Sequence, residues 1–234
     1  MCNEYQKRVA RGSLTERFSE INIPITWADA EPNRDLEDPI RPTDRTTVLR
    51  ALDPADPAAG LEGLEMRWWL VPAFHRGPLN AWRNLCTNAR IETVDTAPTF
   101  REAYRRRRCL VPLTSFIEYS EPEGWKKGRP KTRHEIAWAG DDVRVFAGLW
   151  ERSEPQDLPG GLESFAFVTG PAPADIVPFH DRAPPTLSLA EGLEWLNLEG
   201  PGKALLAELP EAWAYEVRES PREQLMTPEM RRLL

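Results

Sequence analysis

The chain has 234 residues, and its 37 acidic and 30 basic side chains give a formal net charge of −7, which argues against a broad, non-specific grip on nucleic acid. No apolar run reaches the roughly 18 residues that a membrane-spanning helix needs, so we expect no membrane association. The first residues also lack the apolar core of a secretory signal, which predicts a cytoplasmic protein.

Prolines are spread along the whole chain, which favours short elements over long helices. Capping boxes, in which a Ser or Thr precedes a Glu by three residues, begin at Ser13, Thr99 and Ser188 and predict three helices. Bulky apolar runs predict the strands, and Gly140-Asp141-Asp142 predicts the turn of a hairpin. In chain order, we predict a helix at 14–20, an irregular insertion at 29–60, a strand at 64–71, a helix at 100–107, a strand at 109–118, a hairpin of 135–139 with 143–150, a strand at 163–169, a helix at 189–197 and a strand at 213–218.

Several strands with few helices indicate an α+β fold. We predict one domain over 1–234, built on a curved, barrel-like and mostly antiparallel sheet with a few short peripheral helices. Residues 198–234 are interpreted as a C-terminal extension of this domain. We expect the protein to be a monomer.

The three cysteines are Cys2, Cys86 and Cys109, and their odd number and wide spacing argue against a disulfide framework. No Cys-x-x-Cys motif occurs and the three histidines are scattered, so we expect no metal site. We also expect no cofactor. Cys86 and Cys109 are interpreted as buried small hydrophobic residues.

Cys2 carries the sharpest chemical signal. It is small enough for methionine aminopeptidase to remove Met1, which would leave an α-amine and a thiol on adjacent carbons. The reference pKa values of the two groups, about 7.7–8.0 and about 8.5, leave a useful fraction of the amine uncharged near neutral pH. An aldehyde reacts with such a pair to form an imine, which the thiol closes into a five-membered thiazolidine ring. The ring closes readily because the two nucleophiles are already held together.

Three further segments offer groups that suit the same chemistry. Asn88 could bind a sugar oxygen, and Arg90 could bind a phosphate from the same face of an extended segment. Glu118 ends an apolar strand, where partial desolvation raises the pKa of a carboxyl group and suits it to proton transfer. His180 lies in a proline-bounded loop and titrates near neutrality. Each also has a structural alternative: a polar surface strand, a salt-bridged glutamate and a loop histidine.

In order and spacing, these segments resemble the SRAP family (SOS response-associated peptidase), whose members guard abasic sites in single-stranded DNA. Three family motifs are intact: Asn-Ala-Arg-x-Glu-Thr at 88–93, Arg-Arg-Cys-Leu-Val-Pro at 107–112 and Ala-Gly-Leu-Trp-Glu at 147–151. Altered forms of others occur at 1–5, 41–43, 68–72, 116–119 and 180–184, where the family has Met-Cys-Gly-Arg-Phe, Ala-Pro-Thr, Trp-Gly-Leu-Ile-Pro, Phe-Tyr-Glu-Trp and His-Asp-Arg-Met-Pro. The resemblance runs from residue 2 to about residue 197.

The resemblance implies an enzyme that covalently traps abasic sites in single-stranded DNA, with no nucleotide cofactor. Cys2 would form the thiazolidine link, and Asn88 would orient the linked sugar. Glu118 would be the general acid and base, and His180 would help to open the deoxyribose ring and to reverse the link. The residues expected to contact DNA are Arg90 and Arg182 at phosphates, Tyr119 stacked on a base, and Phe74.

Four residues depart from the family pattern, and two of them, Glu4 and Tyr119, affect the expected DNA contacts. Glu4 replaces an arginine, which predicts repulsion of a phosphate. Tyr119 replaces a tryptophan but can still stack on a base. Asn3 replaces a glycine and Ala183 a methionine.

Two alternative functions remain open. The first is a cysteine peptidase, self-processing or hydrolytic, in which Cys2 pairs with His180 and Asn88 orients the histidine or donates to an oxyanion. The second is a non-catalytic module that binds single-stranded DNA, which Glu4 and the negative net charge support.

Overall fold

Residues 3–32, 35–138, 143–207 and 215–221 are described by the computed structural model. Within them, the helices are α1 (Arg11–Glu20), α2 (Arg101–Arg106), α3 (Leu189–Leu196) and α4 (Lys203–Ala207), with 3-10 turns at Pro57–Ala59 and Leu79–Ala81. The strands are β1 (Tyr5–Gln6), β2 (Ile25–Trp27), β3 (Arg45–Ala51), β4 (Leu61–Trp68), β5 (Asn88–Arg90), β6 (Arg108–Leu113), β7 (Ser115–Ser120), β8 (Thr132–Trp138), β9 (Arg144–Ser153), β10 (Leu162–Pro171), β11 (Arg182–Ala183), β12 (Thr186–Leu187) and β13 (Tyr215–Pro221). No helix among these residues has the length and apolar content needed to span a membrane.

Five strands close into a barrel in the order β10-β4-β3-β6-β9, and β9 pairs with β10 to complete the ring. The β10–β4 pairing is parallel, and the other four pairings in the ring are antiparallel. The short strands β2, β5, β11 and β12 extend this sheet, and a second sheet has the order β1-β7-β8-β13. The predicted α+β fold with a barrel-like, mostly antiparallel sheet is therefore confirmed.

Both faces of the barrel strands are buried, which explains their continuous apolar runs. In β9, Phe146 belongs to one apolar cluster, whereas Val145, Ala147 and Leu149 belong to a second cluster that also contains residues of the helices. Successive side chains of a strand point to opposite faces. The first cluster therefore fills the barrel, and the second lies between the barrel and the helices.

Tyr5 anchors the beginning of the described chain in the barrel. Its side chain is fully buried, and its ring centroid lies 5.4 Å from that of Trp68 and 5.3 Å from that of Phe167, in edge-to-face arrangements. Such pairs are favourable beyond the area that they bury. The aromatic contacts fix β1 against the mouth of the barrel.

Only one of the three predicted capping boxes forms. Ser188 Oγ accepts a hydrogen bond from the backbone N–H of Glu191, whose carboxylate accepts one from the N–H of Ser188. The helices α1 and α2 begin after Ala10 and Phe100, without a side-chain cap, so the boxes at Ser13 and Thr99 are wrong.

Physical reasons differ for the two failed caps. The buried Arg11 donates to the backbone oxygen of Asp29 at 2.8 Å, which holds the first turn of α1 two residues before Ser13. Thr99 lies inside a run of turns, because the N–H of Ala97 already bonds to Thr93 and that of Arg101 to Ala97.

Two strand predictions are also corrected. The predicted strand at 109–118 is two strands in different sheets, β6 and β7, which part at Thr114. The predicted hairpin is wrong, because β8 pairs with β7 and β13 whereas β9 lies in the barrel. The turn residues 140–142 lie outside the described residues.

The segment predicted to be an irregular insertion contains a barrel strand. Residues 45–51 form β3, which pairs with β4 along its whole length, and Val48 and Leu49 are fully buried. Of the predicted C-terminal extension, 203–207 form α4 and 215–221 form β13, close to the predicted strand at 213–218.

Candidate active site

The described chain begins beside the strand that carries Glu118. In the antiparallel β1–β7 pair, Tyr5 lies opposite Phe116, and the N–H of Ile117 donates to the carbonyl oxygen of Glu4 at 2.9 Å. Continued by two residues, this register sets Asn3 opposite Glu118. Cys2, the predicted nucleophile, directly precedes Asn3 and lies outside the described residues.

Glu118 is a buried carboxyl group with the titration range of an acid–base catalyst. Its side chain is only 3% exposed and lies on the same strand face as Phe116. Burial raises its pKa to about 7, and the negative charge of Asp181 acts in the same direction. At neutral pH, such a group is about half protonated and can both donate and accept a proton. The pKa increase predicted for this residue is confirmed.

His180 lies in a tight loop between β10 and β11. Its N–H bonds to the carbonyl oxygen of Ile176, and its Nδ1 accepts a hydrogen bond from the N–H of Arg182 at 3.0 Å. Burial lowers its pKa, whereas Asp181, whose Oδ1 lies 2.9 Å from Nδ1, opposes that decrease. A neutral ring that accepts at Nδ1 carries its proton on Nε2.

β5 holds Asn88 and Arg90 on one face, as the sequence predicted. It pairs in parallel with β10, where Phe167 lies opposite Asn88 and Thr169 opposite Arg90. Asn88 is buried and its Nδ2 donates to Thr87 Oγ1 at 3.1 Å, whereas Arg90 is exposed. The two side chains therefore combine a fixed amide with a solvent-facing guanidinium.

The guanidinium of Arg182 forms an ion pair with the carboxylate of Glu92. Its guanidinium donates to both oxygens of Glu92, at 2.8 and 3.0 Å, and its Nη2 also donates to the carbonyl oxygen of Thr169 at 2.7 Å. The hydrogen bonds from Arg182 lower the pKa of Glu92. A phosphate at the predicted Arg182 contact would compete with this pair.

Glu4 presents no exposed charge, which corrects the expectation that it repels phosphate. Its side chain is buried, and Arg133 Nη2 and Arg41 Nε lie 3.1 Å from its two carboxylate oxygens. Tyr119 Oη donates to the same carboxylate at 3.3 Å. The carboxylate at position 4 is compensated by two guanidinium groups.

The two aromatic residues predicted to contact DNA differ in environment. The ring of Tyr119 is half-buried, and its hydroxyl is bound to Glu4. Phe74 is 59% exposed and packs edge-on against Trp82, with ring centroids 5.9 Å apart. Phe74 is therefore the more accessible of the two rings.

The sequence did not single out His134, which the fold brings beside the site. It lies opposite Glu118 in the β7–β8 pair, and its ring centroid is 4.6 Å from that of Phe179, the residue before His180. Ser120 Oγ lies 2.7 Å from Nε2, and burial lowers the pKa of the imidazole. Glu118 lies two residues before the end of β7, and His134 lies two residues after the start of β8. This spacing places the two residues opposite each other only once the pairing of the two strands is known.

Cys86 and Cys109 are buried free thiols, as predicted. Burial raises the pKa of both thiols, which suppresses the reactive thiolate. Neither residue is a suitable nucleophile.

Comparison with known proteins gives a consistent result. A family model described as SOS response associated peptidase (SRAP) matches residues 1–220. The abasic site processing protein YoqW of Bacillus subtilis (strain 168) is 31% identical over 136 residues, which are 57% of this chain and 56% of that protein. The abasic site processing protein YedK of Escherichia coli (strain K12) is 29% identical over 116 residues, 50% of this chain and 49% of that protein. The chain thus spans about half the length of the curated relatives it matches.

Solved structures share the fold at low identity. A protein from Bacteroides thetaiotaomicron superposes with a TM-score of 0.75 at 19% identity, covering 98% of this chain and 96% of its own. A phage-related protein from Bordetella bronchiseptica gives 0.66 at 23% identity, with 94% of each chain covered. The match of the family model to nearly the whole chain establishes the family: the chain belongs to the SRAP family.

Proposed function

We propose that this protein covalently traps abasic sites in single-stranded DNA through a thiazolidine formed by Cys2 after removal of Met1. The observation that carries the proposal is the buried Glu118, with a pKa raised to about 7, on the strand that pairs with Tyr5 and Gln6 just after Cys2. The names of the curated relatives, abasic site processing proteins, support the same substrate.

The reaction would proceed in two condensations. The α-amine of Cys2 adds to the aldehyde carbon of the open abasic sugar, and the resulting carbinolamine loses its hydroxyl group as water with a proton from Glu118. The thiol then gives its proton to the Glu118 carboxylate and its sulfur bonds to the carbon of the protonated C=N, whose π-electron pair moves to the nitrogen. The thiazolidine nitrogen is left as a neutral secondary amine, and Glu118 is protonated again. One water is released overall. A carboxyl group with a pKa near the working pH suits both transfers.

The neutral His180 would act on the sugar. Abasic deoxyribose is mostly a closed ring, which must open before its aldehyde can react. An imidazole with its proton on Nε2 and Nδ1 fixed by the N–H of Arg182 can exchange a proton with the ring oxygen. The same exchange in reverse would assist release of the link.

The DNA strand would cross the face that carries Asn88 and Arg90. The buried Asn88 amide would orient the sugar, and the exposed Arg90 would bind a neighbouring phosphate. Tyr119 and Phe74 would contact bases, and Arg182 would reach a phosphate only in exchange for Glu92.

The direct test mixes the protein lacking Met1 with a labelled oligonucleotide that carries one abasic site, and separates the products by denaturing electrophoresis. We expect a shifted band that survives detergent and heat with the wild type. Cys2→Ala should give no such band, although its α-amine still permits an imine that borohydride can trap. A form that retains Met1 is the matched control, because its Cys2 has no free amine. A wild type that gives no stable band would overturn the proposal.

Two observations weigh against the alternatives. The lowered pKa of His180 disfavours the thiolate–imidazolium pair that a cysteine peptidase would need. Compensation of Glu4 by Arg133 and Arg41 removes a main argument for a non-catalytic module.

A further inference from the structure

A surface groove of about 510 Å³ has no part in the chemistry above. The groove is lined by Trp69, Trp82, Arg67, Arg83, Leu79, Asp157, Val71 and Asn80. We call it the Trp69–Trp82 groove.

The backbone holds Trp69 in a conformation that favours glycine. Its φ is +125°, and the family motif that this segment resembles has a glycine at the same position. The N–H of Trp69 donates to the carbonyl oxygen of Phe165 at 3.0 Å, and its indole Nε1 donates to that of Asn84 at 2.8 Å. Bulky residues at such angles are strained and persist where their surroundings fix them, which is frequent at binding sites.

The groove pairs these flat rings with two guanidinium groups against one carboxylate, that of Asp157. Arg67 is half-buried, its Nη1 donates to the carbonyl oxygen of Trp69 at 3.1 Å, and its guanidinium lies 5.8 Å from the centre of the Trp69 ring. Among the described residues, no carboxylate lies within salt-bridge distance of Arg67 or of the exposed Arg83. Asp157 accepts a hydrogen bond from the backbone N–H of Leu79 at 2.7 Å instead.

The groove is within reach of the strand that would cross Asn88. Asn84, which accepts the hydrogen bond from the Trp69 indole, is four residues before Asn88, so the two Cα atoms are at most about 14 Å apart. That distance corresponds to a few nucleotides of a single strand.

We propose that the Trp69–Trp82 groove is a subsite for one nucleotide of the bound strand, whose base stacks on an indole and whose phosphate binds Arg67 and Arg83. This inference rests on the proposed function. An aromatic ring binds any base through its π-face, and a guanidinium forms paired hydrogen bonds with a phosphate. On a chain with a net charge of −7, the groove supplies a local positive site for the DNA backbone.

The test measures non-covalent binding, so it does not depend on the crosslink. Every variant is made in a Cys2→Ala background, and its affinity for an undamaged fluorescent oligonucleotide is measured by anisotropy at several salt concentrations. Trp69→Gly removes the stacking ring and suits the backbone at this position, and we expect at least about fivefold weaker binding. Arg67→Gln and Arg83→Gln should each lower the slope of log K against log salt by about 0.7.

The matched control is Arg106→Gln, which removes the same charge from an exposed position on α2. Its salt slope should equal that of the parent. Unchanged affinity and slope in Trp69→Gly and Arg83→Gln, or an equal loss in Arg106→Gln, would refute the subsite. If the wild type forms the covalent adduct and these variants bind normally, only this inference fails. If the variants weaken binding and the wild type forms no adduct, only the proposed chemistry fails.

Discussion

The guanidinium of Arg133 donates two hydrogen bonds to one carboxylate oxygen of Glu4, from Nε at 3.3 Å and from Nη2 at 3.1 Å. Both side chains are buried, and they join the beginning of the described chain to β8, two strands away. This ion pair holds the segment next to Cys2 against the sheet that carries Glu118.

Replacing Arg133 by Met should therefore destabilise the fold strongly. The change leaves the buried Glu4 with Arg41, whose side chain is 58% exposed, and breaking a buried pair from one side costs about 3–5 kcal/mol. Urea unfolding measures the loss. The double variant Glu4→Gln with Arg133→Met should recover part of it, because no buried charge remains. Equal stability of the single and double variants would contradict a coupled pair.

The rate of adduct formation should have a bell-shaped dependence on pH. The α-amine must be uncharged, so the rate rises towards its reference pKa of about 7.7–8.0. Glu118 must be protonated to expel water, so the rate falls as the pH exceeds its pKa of about 7. Initial rates from pH 5 to 9 should peak between the two values.

Glu118→Gln should be slower at every pH and should lack the falling limb. Glu121→Gln, at an exposed position just after the same strand, is the matched control and should keep the wild-type profile. A Glu118→Gln profile with an unchanged falling limb would assign that limb to another group.

The carboxyl group of Glu118 should lower the free energy of unfolding at high pH. Its pKa is about 7 in the folded protein and about 4.3 in an unfolded chain, so between these values the folded state binds more protons. The free energy of unfolding therefore falls as the pH rises through this window, by up to about 4 kcal/mol. Glu118→Gln should be more stable than the wild type at pH 8, with a smaller difference at pH 4.5. Urea unfolding at both pH values checks the sign, and a variant less stable at pH 8 would contradict it.

His134 should act through Phe179 on the His180 loop rather than on the substrate. His134→Ala removes the ring that packs on Phe179 and should slow reversal of the link, as His180→Ala does, by less than the latter. His134→Phe keeps a ring in that place and should restore the reversal rate. Reversal is followed as loss of the preformed adduct after excess unlabelled abasic DNA is added. A His134→Phe variant as slow as His134→Ala would point to the imidazole itself.

Any side chain at position 148 should destabilise the folded protein. A Cβ there would lie 2.8 Å from Cys109 Sγ, and the carbonyl oxygens of both residues accept from the indole Nε1 of Trp195. Gly148→Ala should lose about 1–3 kcal/mol of unfolding free energy. Adding Cys109→Ala removes the clashing sulfur, so the two effects should be clearly non-additive in a double-mutant cycle. If the two changes in unfolding free energy simply add, the destabilisation by Gly148→Ala does not come from a clash with Cys109.

The fold class could be predicted from the sequence because apolar runs of strand length dominate the chain. The arrangement of the strands could not, because β6 and β7 read as one continuous run although the chain changes sheets at Thr114. The N–H of Thr114 bonds to the carbonyl oxygen of Gln6, a contact across more than a hundred residues that no local pattern contains. β3 was hidden for a different reason: its polar, proline-rich flanks resemble a loop.

The burial and partners of a candidate residue could be predicted only where the neighbouring residues in the sequence determine them. The raised pKa of Glu118 follows from its apolar strand. Local sequence did not predict that Arg108 is buried and donates to carbonyl oxygens around α3, at Trp195 and Asn197. The partners of Glu4 and the position of His134 depend on the β7–β8 pairing, which local sequence does not specify.

The most direct test of the central claim is mass spectrometry of the protease-digested adduct with abasic single-stranded DNA. We expect one modified peptide, beginning at Cys2, with the mass of the peptide plus the sugar-linked fragment minus one water. It should resist borohydride, because a thiazolidine has no C=N bond to reduce. A modification on a lysine or on Cys86 or Cys109, or a link that borohydride reduces, would contradict the account.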